Sequence, residues 1–91
     1  MVSKEEFKEE VRRIAVEINV KPKRICVRSM KTKLGSCSQD RVLTFNESLL
    51  SSKNSLRLET IIHELLYLRY KNHGKMFKMM AKYYYELQDN L

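Results

Sequence analysis

Three side chains capable of metal binding or acid–base chemistry stand close together between positions 63 and 73. Glu64 follows His63 directly, and a second histidine, His73, comes ten positions after the first. A catalytic zinc often takes two ligands four residues apart on one helical face, and the carboxylate beside the first ligand acts as general base towards water. His63 and Glu64 match the first ligand and the base, and His73 is available because Gly74 lets the chain turn.

Tyr67 stands one helical turn after His63, where this pattern has its second histidine. A phenol has an ordinary pKa of about 10 and binds zinc well only as phenolate, so it is a poor substitute for a neutral imidazole. A His-Glu pair in a helix also arises by chance, and a hydrogen-bonded core histidine is the alternative interpretation of His63. The local spacing therefore indicates a metal site without establishing one.

The surrounding sequence predicts three helices and a small sheet. Ser3 and Glu6 form a capping box ahead of apolar residues at helical spacing, and Pro22 ends this first helix. Alternating patterns favour strands over 24–30 and 41–45, with a turn containing Gly and Ser between them and a short helical turn over 46–50. Ser55 is the expected cap of a buried helix that carries the chemical residues over 61–71, and a last amphipathic helix follows Gly74.

Length and composition fit one α+β domain over residues 1–91. No apolar run approaches the roughly 18 residues that span a bilayer, and charged residues interrupt the N-terminus where a signal peptide needs its apolar stretch. We therefore expect a cytoplasmic protein with no membrane partner. Cys26 and Cys37 are too sparse for a disulfide framework or a four-thiolate zinc site, so we expect free thiols.

Positive charge is concentrated between positions 20 and 45. The chain has a net charge of +7, and this segment holds one acid, Asp40, against seven cations: Lys21, Lys23, Arg24, Arg28, Lys31, Lys33 and Arg41. Clustered cations attract phosphates, which makes nucleic acid a candidate partner of this basic patch. The alternative is a solvated sheet edge whose lysines prevent pairing with other strands.

Three blocks of sequence follow one another at characteristic separations: RSMKTKLGSCS over 28–38, VLTFN over 42–46 with Leu49 and Leu50, and IIHELLYL over 61–68 with NHGKMF over 72–77. Together they resemble the YgjP-like metallopeptidase family, which is related to SprT-like and other zincin proteases. The resemblance covers roughly residues 23–84.

This resemblance implies a minimal zincin-like fold and a zinc-dependent peptidase with one zinc per chain. In it His63 and His73 match metal ligands, Glu64 matches the catalytic glutamate, and Tyr67 departs from the family's second histidine. The compact minigluzincins use a glutamate as third ligand, for which Glu86 is a remote candidate. An edge strand is expected to bind a peptide substrate by strand addition through Val42, Leu43, Thr44 and Phe45.

Three functions remain open. The first is a metallopeptidase, weakened by Tyr67. The second is a catalytically degenerate relative that binds peptides, and the third is a small basic nucleic-acid-binding protein. The run of Tyr83, Tyr84 and Tyr85 puts aromatic residues on more than one face of the last helix. This pattern is typical of a homodimer formed through that helix or of a tail that docks over the cleft.

Overall fold

The first helix, α1 (Lys4–Ile18), begins at the predicted capping box in the computed structural model, which describes residues 1–89. The Ser3 hydroxyl accepts from the Glu6 backbone N–H at 3.1 Å, and the Glu6 carboxylate accepts from the Ser3 N–H at 2.9 Å. These hydrogen bonds hold the pKa of Glu6 below its usual value. Asn19 ends the helix in the left-handed conformation, with φ at 65°.

The sheet has three strands, β1 (Arg24–Arg28), β2 (Gly35–Cys37) and β3 (Val42–Asn46), in the order β1-β3-β2. β1 pairs with β3 in parallel, with Val27 opposite Phe45, and β2 pairs with β3 antiparallel, with Ser36 opposite Thr44. The prediction of β3 as an edge strand is therefore wrong. The short strand β2, within the segment taken for a turn, covers the side of β3 that was expected to be free.

Two helices complete the domain, α2 (Asn54–Leu66) and α3 (Lys75–Asp89), and a 3₁₀ turn over Glu47–Ser51 precedes them. The expected α2 boundaries need correction at both ends. Lys53 is the N-cap and has no side-chain capping bond, so Ser55 lies inside the helix. The helix ends at Leu66 and not at residue 71, which leaves Tyr67 as its C-cap, still in a right-handed helical conformation.

One apolar core joins all three helices to the inner face of the sheet. Leu43 and Phe45 on β3 are fully buried, and the Phe45 ring meets the ring of Phe7 from α1 edge to face at a centroid distance of 5.1 Å. Ile61, Leu65 and Leu66 bring α2 into the same cluster. This packing confirms the α+β class and explains why α2 is buried along most of its length.

The outer face of α3 carries exposed apolar side chains: Met76, Met79, Tyr83 and Leu87. Tyr84 and Tyr85 instead pack against the core. The homodimer through this helix remains a prediction. None of the helices within residues 1–89 is long and apolar enough to cross a membrane.

Candidate metal centre and catalytic cleft

The last two turns of α2 present His63 and Glu64 to different surroundings. The His63 side chain is 42 % exposed and faces a cleft, whereas Glu64 is buried, with 7 % of its surface exposed. The Glu64 Oε2 lies 3.5 Å from His63 Nδ1, which leaves His63 Nε2 free to face outward. Adjacent positions on one helix therefore supply an accessible imidazole and a sheltered carboxylate.

Three donor atoms converge at the mouth of this cleft. His63 Nε2 lies 2.9 Å from His73 Nε2, and the Tyr67 hydroxyl lies 2.6 Å from His73 Nε2 and 2.9 Å from His73 Nδ1. The three rings surround the buried ring of Phe77, at centroid distances of 5.1, 5.3 and 4.6 Å for His63, Tyr67 and His73. The residues singled out from the sequence are thus brought together.

A tight turn returns His73 to the end of α2. The Asn72 side-chain oxygen accepts from the Gly74 backbone N–H at 3.1 Å, and α3 begins at the next residue. A Cβ added at Gly74 would lie 2.9 Å from that same oxygen, so a larger residue would displace the Asn72 side chain from this contact. The turn therefore fixes the position of the second imidazole.

Two of the three converging side chains, His63 and His73, are of a type that commonly binds zinc. Tetrahedral zinc with bonds of 2.0–2.1 Å to nitrogen separates neighbouring donors by about 3.3 Å, somewhat more than the distances here, so small side-chain rotations would open the site. Two imidazole nitrogens suit the ion, and the phenol suits it once deprotonated. No cluster of three His, Cys, Asp or Glu side chains able to hold a metal occurs within residues 1–89, so Glu86 does not complete the site. The residues fit a zinc ion, with Tyr67 as the weak ligand.

Burial sets the acid–base character of Glu64. Desolvation raises the pKa of this carboxyl above its usual value, and the opposing influences of His63 and Lys33 are smaller. A general base works best when its pKa approaches the operating pH, so the shift has the direction that catalysis requires.

Gly35 on β2 is a site residue that the sequence analysis treated only as a turn marker. A Cβ at this position would lie 3.0 Å from Glu64 Cγ and 3.4 Å from both Cδ and Oε2. The strand backbone therefore lies directly against the carboxylate side chain. A glycine inside a strand often marks a place where another group approaches the backbone closely. This strand has only three residues, which is too short for its pattern to be recognised from sequence.

The cleft has a volume of about 1000 Å³ and runs between β2 and the end of α2. Its wall contains residues from the segment 33–41, among them Lys33, Cys37 and Arg41. Burial, followed by the nearby Glu64 carboxylate, raises the pKa of the Cys37 thiol. The predicted substrate residues Val42, Leu43, Thr44 and Phe45 are absent from the lining, because β3 is the central strand and turns Leu43 and Phe45 into the core.

Comparisons with known proteins agree with this geometry. A family model described as "YgjP-like, metallopeptidase domain" matches residues 2–90. The chain is similar to the crystal structure of the metallopeptidase zymogen jannalysin of Methanocaldococcus jannaschii, with a TM-score of 0.77 and 28% sequence identity over 86% of this chain and 80% of that chain. No curated protein matches the sequence.

Proposed function

Because the chain belongs to the YgjP-like family of metallopeptidase domains, we propose that it hydrolyses peptide bonds with a zinc ion held by His63, His73 and Tyr67. The observation that carries this proposal is the convergence of donor atoms on His73 Nε2, which lies 2.9 Å from His63 Nε2 and 2.6 Å from the Tyr67 hydroxyl. A zinc ion bound there supplies Lewis acidity, which makes water easier to deprotonate and a carbonyl carbon easier to attack.

Glu64 is the general base of the proposed reaction. Its carboxylate takes a proton from the attacking water and delivers it to the leaving amine, which requires a group that changes protonation state near neutral pH. Burial beneath β2 raises its pKa in that direction, and the side chain still lines the cleft in which the attacking water would lie. Gly35 supports this role because its missing side chain leaves space for the glutamate.

The substrate is held by β2. This strand is the last in the sheet order, it borders the cleft, and its outer edge has no strand beside it within residues 1–89. An extended peptide can therefore pair with the main chain of Gly35–Cys37 and pass in front of His63. Lys33 and Arg41 on the same wall favour substrates with acidic residues near the cleaved bond.

Tyr67 lowers zinc affinity at neutral pH, because a phenol must lose its proton to become a strong ligand. The resulting enzyme is weak and depends on the supply of metal. The same residue favours the second candidate function, a degenerate domain that binds peptides along β2 without cleaving them.

Cleavage of an unfolded protein such as casein in the presence of zinc separates the two functions. The matched variant is Glu64→Gln, which keeps the shape of the side chain and removes the base. The peptidase proposal predicts slow cleavage by the wild-type chain and none by Glu64→Gln at equal zinc content. Peptide binding without cleavage in either protein would refute the peptidase and favour the degenerate domain.

A further inference from the structure

A second concave surface lies where α1 meets the loop that leads into β1. It encloses about 520 Å³ and shares no lining residue with the catalytic cleft. All five charged residues of its lining are cations, and we call this surface the basic depression: Lys8, Arg12, Lys21, Lys23 and Arg24. The fold therefore divides the basic patch of residues 20–45 between two surfaces. Lys33 and Arg41 line the cleft, whereas Lys21, Lys23 and Arg24 line the basic depression together with Lys8 and Arg12 from α1.

The cations of the basic depression are not neutralised by neighbouring acids. None of the five forms an ion pair within 4.0 Å in the part of the chain that the structure describes. Glu5 and Glu9 each stand three residues before one of the helical cations, Lys8 and Arg12, yet neither forms such a pair. A solvated surface usually mixes both signs, so this concentration produces a strong local positive potential.

Protection of a sheet edge explains only part of this arrangement. β1 is an outer strand, so Arg24 and Arg28 can discourage pairing with another chain. Lys8 and Arg12 lie on a helix, where there is no strand edge to protect. Their spacing of four residues puts them on the same helical face, towards the loop cations.

The loop that carries Lys21 and Lys23 is held firmly by the rest of the fold. The Arg41 guanidinium donates to the Lys21 carbonyl oxygen at 2.6 and 3.0 Å, and the Lys23 N–H donates to the Arg41 carbonyl at 2.8 Å. Val20 N–H donates to Ala15 at the end of α1, at 3.0 Å. The backbone positions of the loop cations are thus fixed before any ligand arrives, which lowers the cost of binding.

We propose that the basic depression binds the phosphate backbone of nucleic acid without regard to base sequence. Four of the five cations are exposed, so their side chains can follow a series of phosphates rather than enclose one small anion. The lining contains no aromatic residue on which a base could stack. Its apolar residues Val20 and Ile25 pack against the core and do not project outward to enter a bilayer. Five cations neutralise at most five phosphates, which limits the log-log salt slope to about 4.5 on duplex DNA.

Fluorescence anisotropy of a short labelled DNA duplex, titrated with the full chain at several salt concentrations, tests this proposal. The variant Lys8→Glu/Arg12→Glu is compared with Lys78→Glu/Lys82→Glu, whose two lysines are exposed on α3 at the same spacing. Both variants change the net charge by the same amount. We expect the first to lose at least about tenfold in affinity and about 1.8 in salt slope, and the second to stay close to wild type.

Equal losses in the two variants would overturn the proposal, because net charge alone would then explain binding. Absence of duplex binding by the wild-type chain at moderate salt would overturn it as well, as would binding to vesicles containing phosphatidylserine in preference to DNA. If Lys8→Glu/Arg12→Glu fails to fold by circular dichroism, Lys21→Gln/Lys23→Gln in the exposed loop replaces it, with the same expected reduction in slope.

Discussion

Replacement of Gly35 by alanine tests whether β2 and the Glu64 side chain are packed as closely as the structure indicates. The new Cβ would lie 3.0 Å from Glu64 Cγ, whereas carbon atoms prefer separations of about 3.5–4.0 Å. One of the two groups must therefore move by a few tenths of an ångström. Glu64 is buried and lies 3.5 Å from His63 Nδ1, so moving its side chain disturbs both its packing and this contact. We expect Gly35→Ala to cost about 1–3 kcal/mol of unfolding free energy, as overpacking of a core does.

The same substitution should behave differently when Glu64 is alanine. All three atoms that the new Cβ would crowd belong to the Glu64 side chain beyond its Cβ, so the conflict disappears with them. Gly35 does not have a positive φ, so alanine fits its backbone and should gain about 0.4–1 kcal/mol through the reduced entropy of the unfolded chain. The double-mutant cycle should therefore give a coupling energy of about 1.5 kcal/mol or more.

Urea unfolding of the four proteins, followed by circular dichroism without added metal, measures this coupling. The result does not depend on catalytic activity, so it tests the geometry alone. Equal destabilisation by Gly35→Ala in both backgrounds would refute the reasoning, because the cost would then lie in the strand and not in the contact with Glu64. A stabilising effect in the wild-type background would refute it equally.

Further predictions concern the buried polar groups. Burial raises the pKa of the Glu64 carboxyl in the folded protein above its ordinary value of 4.5. The contribution of this group to the free energy of unfolding is therefore fully present below pH 4.5 and is lost as the pH rises through the pKa of the folded state. Glu64→Gln should therefore gain about 1 kcal/mol over wild type at neutral pH and little in acid, measured by thermal unfolding across pH. Burial and the Glu64 carboxylate raise the pKa of the Cys37 thiol, so iodoacetamide should alkylate Cys37 slowly in the wild-type protein. Alkylation should be faster in Glu64→Gln, and peptide mass spectrometry measures both rates. Arg57 is buried and donates to Asn54 Oδ1 at 2.8 Å and to Glu10 Oε1 at 3.4 Å, so Arg57→Ala should cost about 2–4 kcal/mol in urea unfolding, and a neutral result would contradict these contacts.

The features predicted most accurately from the sequence are those that depend on residues close together in the chain. The capping box at Ser3 and Glu6, the apolar spacing of α1 and the helical turn after Asn46 are all local features, and the structure contains each of them. The spacing of His63, Glu64 and His73 also predicted that these side chains lie close together, because a helix and a turn after it are enough to gather them. Their roles stay a prediction.

Features that join distant parts of the chain were missed. The order of the strands depends on pairing between segments far apart in sequence, so the central position of β3 and the edge position of β2 had no local signal. The buried Arg57 is explained by Glu10, which lies 47 positions away. Lys8 and Arg12 join the loop cations only because α1 packs beside β1.

Zinc binding at neutral pH to three proteins tests the central claim most directly: wild type, Tyr67→His and His63→Ala, titrated in competition with a chromophoric chelator. If Tyr67 is the weak ligand of a site that His63 and His73 form, wild type should bind one zinc per chain, Tyr67→His should bind at least about tenfold more tightly, and His63→Ala should lose binding. Equal affinity of wild type and His63→Ala, or no gain from Tyr67→His, would contradict the assignment of this cluster as the metal centre.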